Sequence, residues 1–221
     1  MMKRIFAILT ALAVLGSCSS GLAETILKDV MGEIDAENGT YTNAFFGIGC
    51  SNPDWEYCEE EEILSLNRFT EDWMEKDLKT ILKSSEYIML MTTEPDMAGA
   101  LYCVSIRVSR FVYWNIREMI KQTGIEAAMP GMRYDMIKAF KAHGMEDVEV
   151  QIDTVTIDGS DEAAFIVQYT DKGERVCLVE AVLPYGDYYV IIEAAAAPEN
   201  MEEAKAAFSS FYWLNEPETQ P

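Results

Sequence analysis

Residues 146–214 hold four strand-like runs in succession and then an apolar helical stripe, and any fold for this chain must accommodate that unit. The runs cover 147–157, 162–169, 175–183 and 188–195, and the stripe predicts a helix over 201–213. Asp158-Gly159 suits a tight primed hairpin turn, because both residues tolerate positive φ. Asp171-Lys172-Gly173 predicts a slightly longer hairpin loop. Leu183-Pro184-Tyr185-Gly186 places Pro second and Gly fourth, as in a type I turn. Val176, Leu178, Val179, Ala181, Leu183 and the run 190–192 are apolar on both parities, as expected of central strands covered on both faces. In the first run Val148, Val150 and Ile152 share one parity, whereas Val155 and Ile157 have the other. A bulge near Asp153-Thr154 would reset the alternation in this way. Asn200 and Glu203 are spaced as a capping box for the last helix, and Met201, Ala204, Phe208, Phe211 and Tyr212 form its apolar stripe.

The preceding chain supplies shorter elements. Tyr41, and then Phe46, Ile48 and Cys50, alternate as strand residues do, with a turn at Asn43-Ala44. Glu59 to Glu62 stand at a helix start, where carboxylates complement the dipole. A second helix is expected from Thr70, with Trp73, Leu78, Ile81 and Leu82 on its apolar face. Runs 87–91 and 100–108 read as a hairpin with a long loop, the second run being half-buried because Cys103, Ser105 and Arg107 alternate with apolar residues. Helices are expected over 112–121 and 132–142, the latter opened by Pro130-Gly131 with Met136, Ile137 and Phe140 inward.

The first residues are a processing signal. Lys3-Arg4 precede an apolar run, 5–15, too short for a permanent membrane span. Leu15-Gly16-Ser17-Cys18 resembles a bacterial lipobox, with Cys18 acylated; cleavage after Ala23 at Gly21-Leu22-Ala23 is the alternative, giving a secreted chain. The resulting organisation is a signal peptide over 1–18, a tether over 19–39, one domain over 40–215 and a tail over 216–221. The exported chain keeps Cys50, Cys58, Cys103 and Cys177. Their even number permits two disulfides, Cys50–Cys58 and Cys103–Cys177 being the preferred pairing, with buried free thiols as the alternative.

The chain carries 17 basic and 38 acidic side chains, a formal charge of −21. Such a balance repels nucleic-acid phosphates and anionic lipid, and favours cationic partners or divalent ions. No CxxC occurs and His143 is the sole histidine, so no zinc site is expected. Asp153–Glu162 fails as a calcium loop, because Val155 and Ile157 stand where oxygen ligands are needed. There is no GxSxG and no Gly-rich phosphate loop. His143 has no visible catalytic partner. No catalytic residue, metal or cofactor is therefore assigned.

Several motifs together resemble a known family. They are Tyr41-Thr42-Asn43-Ala44-Phe45-Phe46-Gly47-Ile48, the turn Pro53-Asp54-Trp55, the acidic helix start at 59–66, Tyr185-Gly186-Asp187-Tyr188-Tyr189, and the closing Phe211-Tyr212-Trp213. In this order the chain is similar to the exported PsbP/Mog-type proteins, many of them uncharacterised lipoproteins of gut clostridia. Asp54 stands where that family usually has Gly. The resemblance implies an α+β fold: an α/β/α sandwich with a central, mainly antiparallel sheet and helices on both faces. Family relatives include a photosystem II extrinsic subunit and a Ran-binding protein, which act by binding partners. No catalytic motif carries over.

The expectation is a non-enzymatic, monomeric binding or accessory module, lipid-anchored outside the cytoplasm and directed at an envelope protein or wall component. Tyr185 and Tyr188 are its candidate contact residues. The alternatives are a motif-less hydrolase using acidic residues and a divalent-cation-loaded module. Two converging carboxylates of perturbed pKa in a concave pocket would mark the hydrolase.

Overall fold

The computed structural model describes residues 30–67, 87–93, 101–110, 120, 122–185 and 188–214. The export signal with Cys18, the cleavage site at Ala23, the helix expected from Thr70, nearly all of that over 112–121 and the tail over 216–221 lie outside the described residues.

The described chain is mostly β-structure in two antiparallel sheets. One has four strands in the order β1-β2-β3-β11: Glu33–Asp35, Thr40–Asn43, Ile48–Ser51 and Phe211–Trp213. The other has seven, in the order β4-β5-β6-β10-β9-β8-β7. Its strands are β4 (Glu56–Tyr57), β5 (Tyr87–Thr93), β6 (Leu101–Arg110), β7 (Glu146–Ile157), β8 (Ser160–Asp171), β9 (Glu174–Tyr185) and β10 (Tyr188–Ala196). The described α-helices are α1 (Glu60–Leu66), α2 (Met129–Ala142) and α3 (Met201–Ala206), and a 3-10 turn over Ala207–Ser210 leads into β11.

The expected meander is present as β7 to β10, and its first hairpin turn holds, whereas Pro184 and Tyr185, expected in a type I turn, lie in β9 and pair with Tyr189 and Tyr188 because the strand runs to Tyr185. Asp158 and Gly159 have φ of 49° and 77° and join Ile157 to its partner Ser160. The next loop is tighter than expected. Lys172 and Gly173, at φ 51° and 83°, alone connect the paired Asp171 and Glu174. Both loops suit the strand twist because consecutive left-handed residues match it.

Residues 176–183 of β9 and 190–196 of β10 are buried without interruption. A pleated strand alternates its side chains, so unbroken burial requires cover on both faces. Two apolar clusters provide it. One joins Val179, Ala181, Ile192 and Ala194 to Tyr41, Ile48, Phe208 and Phe211 of the small-sheet side. The other joins Leu178, Val182, Phe165 and Val167 to Met129, Met136 and Phe140 of α2.

Several local expectations differ from the structure. The parity switch in β7 is not a bulge at Asp153-Thr154, because its register with β8 is continuous from Glu149 to Ile157; the irregularity lies between Glu146 and Glu149. What changes is the covering layer. Val148 and Val150 belong to the α2 cluster, Val155 and Ile157 to the other, and Ile152 between them is 45% exposed. The last helix stops at Ala206, and Phe211-Tyr212-Trp213 pair with Cys50, Gly49 and Ile48. Helical spacing yields there to the β-propensity of three aromatics beside an open strand edge. The Asn200–Glu203 capping box does not form. The reciprocal contact occurs at α1 instead, where the Glu59 N–H donates to Glu62 Oε2 at 3.1 Å. β6 is buried on both faces from Cys103 to Val108, not half-buried, because Val104, Ile106 and Val108 join the small-sheet cluster while Cys103 on the other face joins the α2 cluster.

The tether also ends earlier than expected. Val30 and Met31 are buried, and their carbonyls accept hydrogen bonds from Asn43 Nδ2 and the Tyr41 hydroxyl, both at 2.8 Å. The fold therefore begins by residue 30, with β1 as an added edge strand. Gly39 closes the β1–β2 turn at φ 62°, and a Cβ there would stand 2.5 Å from Pro53 Cα. At Gly159, φ 77°, a Cβ would meet nothing within 4 Å. Gly159→Ala is expected to cost about 1 kcal/mol through left-handed strain alone. Gly39→Ala adds backbone overlap and should cost about 1–3 kcal/mol more. Urea unfolding compares the two, and equal losses would mean that the close approach of Gly39 to Pro53 costs nothing.

Candidate functional site

Charged groups stand at the centre of the large sheet. Glu180 of β9 and Glu193 of β10 are direct cross-strand partners, and Glu193 is in turn opposite Ser105 of β6. Arg107 lies one step along β6, opposite Ile191. The register thus brings four polar side chains onto the face that α2 covers. Arg107 and Glu180 are 2% exposed and Glu193 is 5% exposed.

The guanidinium holds the group together. Arg107 Nη2 donates to Glu193 Oε1 in a short contact and to Glu180 Oε2 at 3.4 Å. Ser105 Oγ donates to Glu193 Oε2 at 3.3 Å. Burial, reinforced by the Glu193 charge and partly offset by Arg107, pushes the Glu180 carboxyl up to about 8. A raised carboxyl in low dielectric is the expected response to desolvation beside a like charge. In chemical terms the pair resembles an acid–base dyad. Neither of the two cavities described below touches it.

The same face carries two further groups. Burial, reinforced by Glu193, pushes the Cys103 thiol up to about 12. Tyr169 is fully buried, its ring 5.0 Å from that of Phe140, and its hydroxyl has no hydrogen-bond partner among the described residues. Burial holds this phenol neutral to well above its ordinary range.

The expected disulfides are not formed: Cys50, Cys58, Cys103 and Cys177 are free. Cys103 and Cys177 lie in the clusters on opposite faces of the large sheet, with β10 between their strands. No side-chain bridge crosses a sheet in that way. Cys50 instead lies 3.7 Å from the Tyr57 hydroxyl. Burial raises Cys50 to about 12 and both Cys58 and Cys177 to about 11. Thiols so raised are poor nucleophiles.

The two candidate contact residues separate. Tyr188 is buried, its ring edge-on to Phe46 at 6.3 Å, so it belongs to the core and not to a contact surface. Tyr185 is half-buried against Phe45 at 5.9 Å and Phe46 at 5.2 Å. His143 caps the end of α2, with Nδ1 2.8 Å from the Ala139 carbonyl. No cluster of metal-ligating side chains occurs among the described residues.

Two surface cavities are described. One, of about 410 Å³, has Glu33, Glu59 and Glu60 around Met31, Ile34 and Met89. The other, of about 430 Å³, lies between Glu174, Arg175 and Glu199. Neither touches Arg107, Glu180 or Glu193. Among the described residues no helix is long and apolar enough to cross a membrane.

The buried triad was not anticipated, yet its signal was present. Glu180 lies between Val179 and Ala181, and Glu193 between Ile192 and Ala194. A lone carboxylate inside a strand apolar on both parities has to be buried, and a buried charge needs a partner. Arg107 is the matching cation in β6.

No family model matches the sequence, and no curated protein matches it. Solved structures similar to this chain include that of the cyanobacterial PsbP (CyanoP) from Synechocystis sp. PCC 6803. The identity is 11% and the TM-score 0.47, over 90% of this chain and 98% of that one. A crystal structure from Bacteroides thetaiotaomicron VPI-5482 matches at 12% identity and TM-score 0.39, over 84% of this chain and 52% of that one, so the chain spans about half its length. Protein PA94 of unknown function from Pseudomonas aeruginosa matches at 12% identity and TM-score 0.32, over 50% of this chain and 70% of that one.

Two measurements check the site. Arg107→Met strands the carboxylates and should cost about 3–5 kcal/mol, whereas Arg107→Met combined with Glu180→Leu and Glu193→Leu should recover most of that loss. An additive triple variant would contradict a buried, mutually compensating cluster. Thiol titration of the denatured, unreduced chain should find Cys50, Cys58, Cys103 and Cys177 all reactive; a lower count would restore a disulfide.

Proposed function

We propose that this chain is a non-enzymatic binding or accessory module, held at the outer face of the cell membrane by a lipid on Cys18 and acting on an envelope protein or wall component. The observation that carries the reading is the sealed state of the Arg107–Glu180–Glu193 group. These are the described residues with the strongest claim to acid–base chemistry, and they are buried, bridged by Arg107 and untouched by the described cavities. A hydrolase needs its carboxylates in reach of substrate and water. The accessible chemistry is instead an acidic surface, on a chain of formal charge −21, which attracts cationic groups of a partner.

The finer structural reading belongs to the same proposal. An exported PsbP/Mog-type sandwich agrees with a central sheet that carries a separate apolar cluster on each face. It also agrees with the lipobox-like Leu15-Gly16-Ser17-Cys18.

Chemical cross-linking on intact cells, with identification of attached proteins, tests the function. A reproducible envelope partner whose capture weakens as salt rises is expected. Turnover of a substrate by the purified chain, abolished by Glu180→Gln, would overturn the reading. The anchor is tested separately: Cys18→Ala should release the protein from the membrane fraction, and a variant that still fractionates with membranes would sink the lipid attachment.

A further inference from the structure

The centre of the large sheet carries unequal charge. Glu180 and Glu193 oppose each other across β9 and β10, and one guanidinium, Arg107, touches both. Directly opposed side chains of a sheet stand about 5 Å apart at Cβ, and like charges there repel. One cation compensates one of two carboxylates. The remaining negative charge would be buried without water, at a large desolvation cost.

The surroundings offer no second compensating charge among the described residues. On the same face β6 supplies Ser105, a hydroxyl already donating to Glu193, and Cys103, a thiol held neutral. From β8 come Phe165 and the neutral phenol of Tyr169. The helix α2 turns Met129, Met136 and Phe140 inward, while its Arg133, Asp135 and Lys138 are exposed.

We propose that Glu180 and Glu193 hold one proton between them in the folded protein at neutral pH, and that losing it in mildly alkaline medium weakens the sheet at its centre. The group is then a proton-linked switch: one carboxyl donates to the other, and Arg107 neutralises the charge that remains. Deprotonation converts that balanced set into two opposed anions sharing one cation.

The sign follows from linkage. Glu180 titrates near 4.5 when unfolded and is raised to about 8 in the fold. Between those values the folded chain keeps a proton that the unfolded chain releases, so stability falls as pH rises through that window and levels off above it. The raised Cys103 thiol and Tyr169 phenol act the same way only above their ordinary values of 9.0 and 10.0, outside the window.

Urea unfolding of the full chain from about pH 6 to pH 8 tests the switch. The expected unfolding constant rises by up to tenfold per pH unit, one proton's worth. Glu180→Gln, which keeps a neutral donor facing Glu193, should remove that slope. A flat wild-type profile, or a wild-type slope in Glu180→Gln, overturns the proposal. Should Glu180→Gln fail to fold, infrared spectroscopy of the native wild type decides. A protonated-carboxyl carbonyl band present at neutral pD and lost in alkaline buffer supports the shared proton, and its absence at neutral pD refutes it.

Discussion

Burial of three neighbouring strands on both faces is the constraint on which the described structure rests. β6, β10 and β9 lie side by side, and each has an unbroken buried run. A sheet of this kind cannot leave either face to water, so the chain must deliver two covering layers. The small sheet with Phe208 and Phe211 covers one face, and α2 covers the other. The elements that looked peripheral, from Val30 to Ser51, are therefore half of the core. Val30, Tyr41, Ile48 and Cys50 are each fully buried in it.

The same constraint explains what the sequence made legible. The Asp158-Gly159 turn was read correctly, because it needs only its own left-handed tolerance to form a hairpin. The two-sided strands were read from apolar residues on both parities. The errors arose where a distant partner decides. Phe211-Tyr212-Trp213 continues a helical stripe by spacing, yet the edge of β3 draws it into a strand. The parity switch of β7 looked like a bulge because its period records burial, and burial there passes from one layer to the other without a break in register. Pairing Cys103 with Cys177 as a link between two strands failed for the same reason: the sheet places them on opposite faces.

The triad shows how a polar group can resemble an active site and still belong to the interior. Its carboxylates converge, one is raised, and a cation orients them, as in many catalytic dyads. Accessibility separates the two cases. Structural ion-pair networks perturb carboxyls as strongly as catalytic ones do, and this network is buried, with neither described cavity touching it. A buried cluster of this type need not add net stability over an apolar core. Its consequence is register. Sliding β9 by one residue against β10 would move Glu180 to the other face, away from Arg107, while leaving a strand apolar on both sides still well buried. Among strands as uniformly apolar as these, the charged row is what distinguishes one alignment from the next.

The border of the large sheet at β7 is blunted along its length. β7 is the terminal strand beyond β8, and its even-numbered residues direct backbone groups outward. The Val150 carbonyl accepts from Arg133 Nε at 2.7 Å. The Thr154 N–H donates to Asp153 Oδ1 at 2.9 Å, and Lys205 anchors that carboxylate at 2.9 Å. The Asp158 N–H donates to the Phe211 carbonyl at 3.2 Å. Groups that an added strand would require are thus taken at both ends and in the middle, and charges line the remainder. Edge strands blunted in this way resist strand addition by other chains.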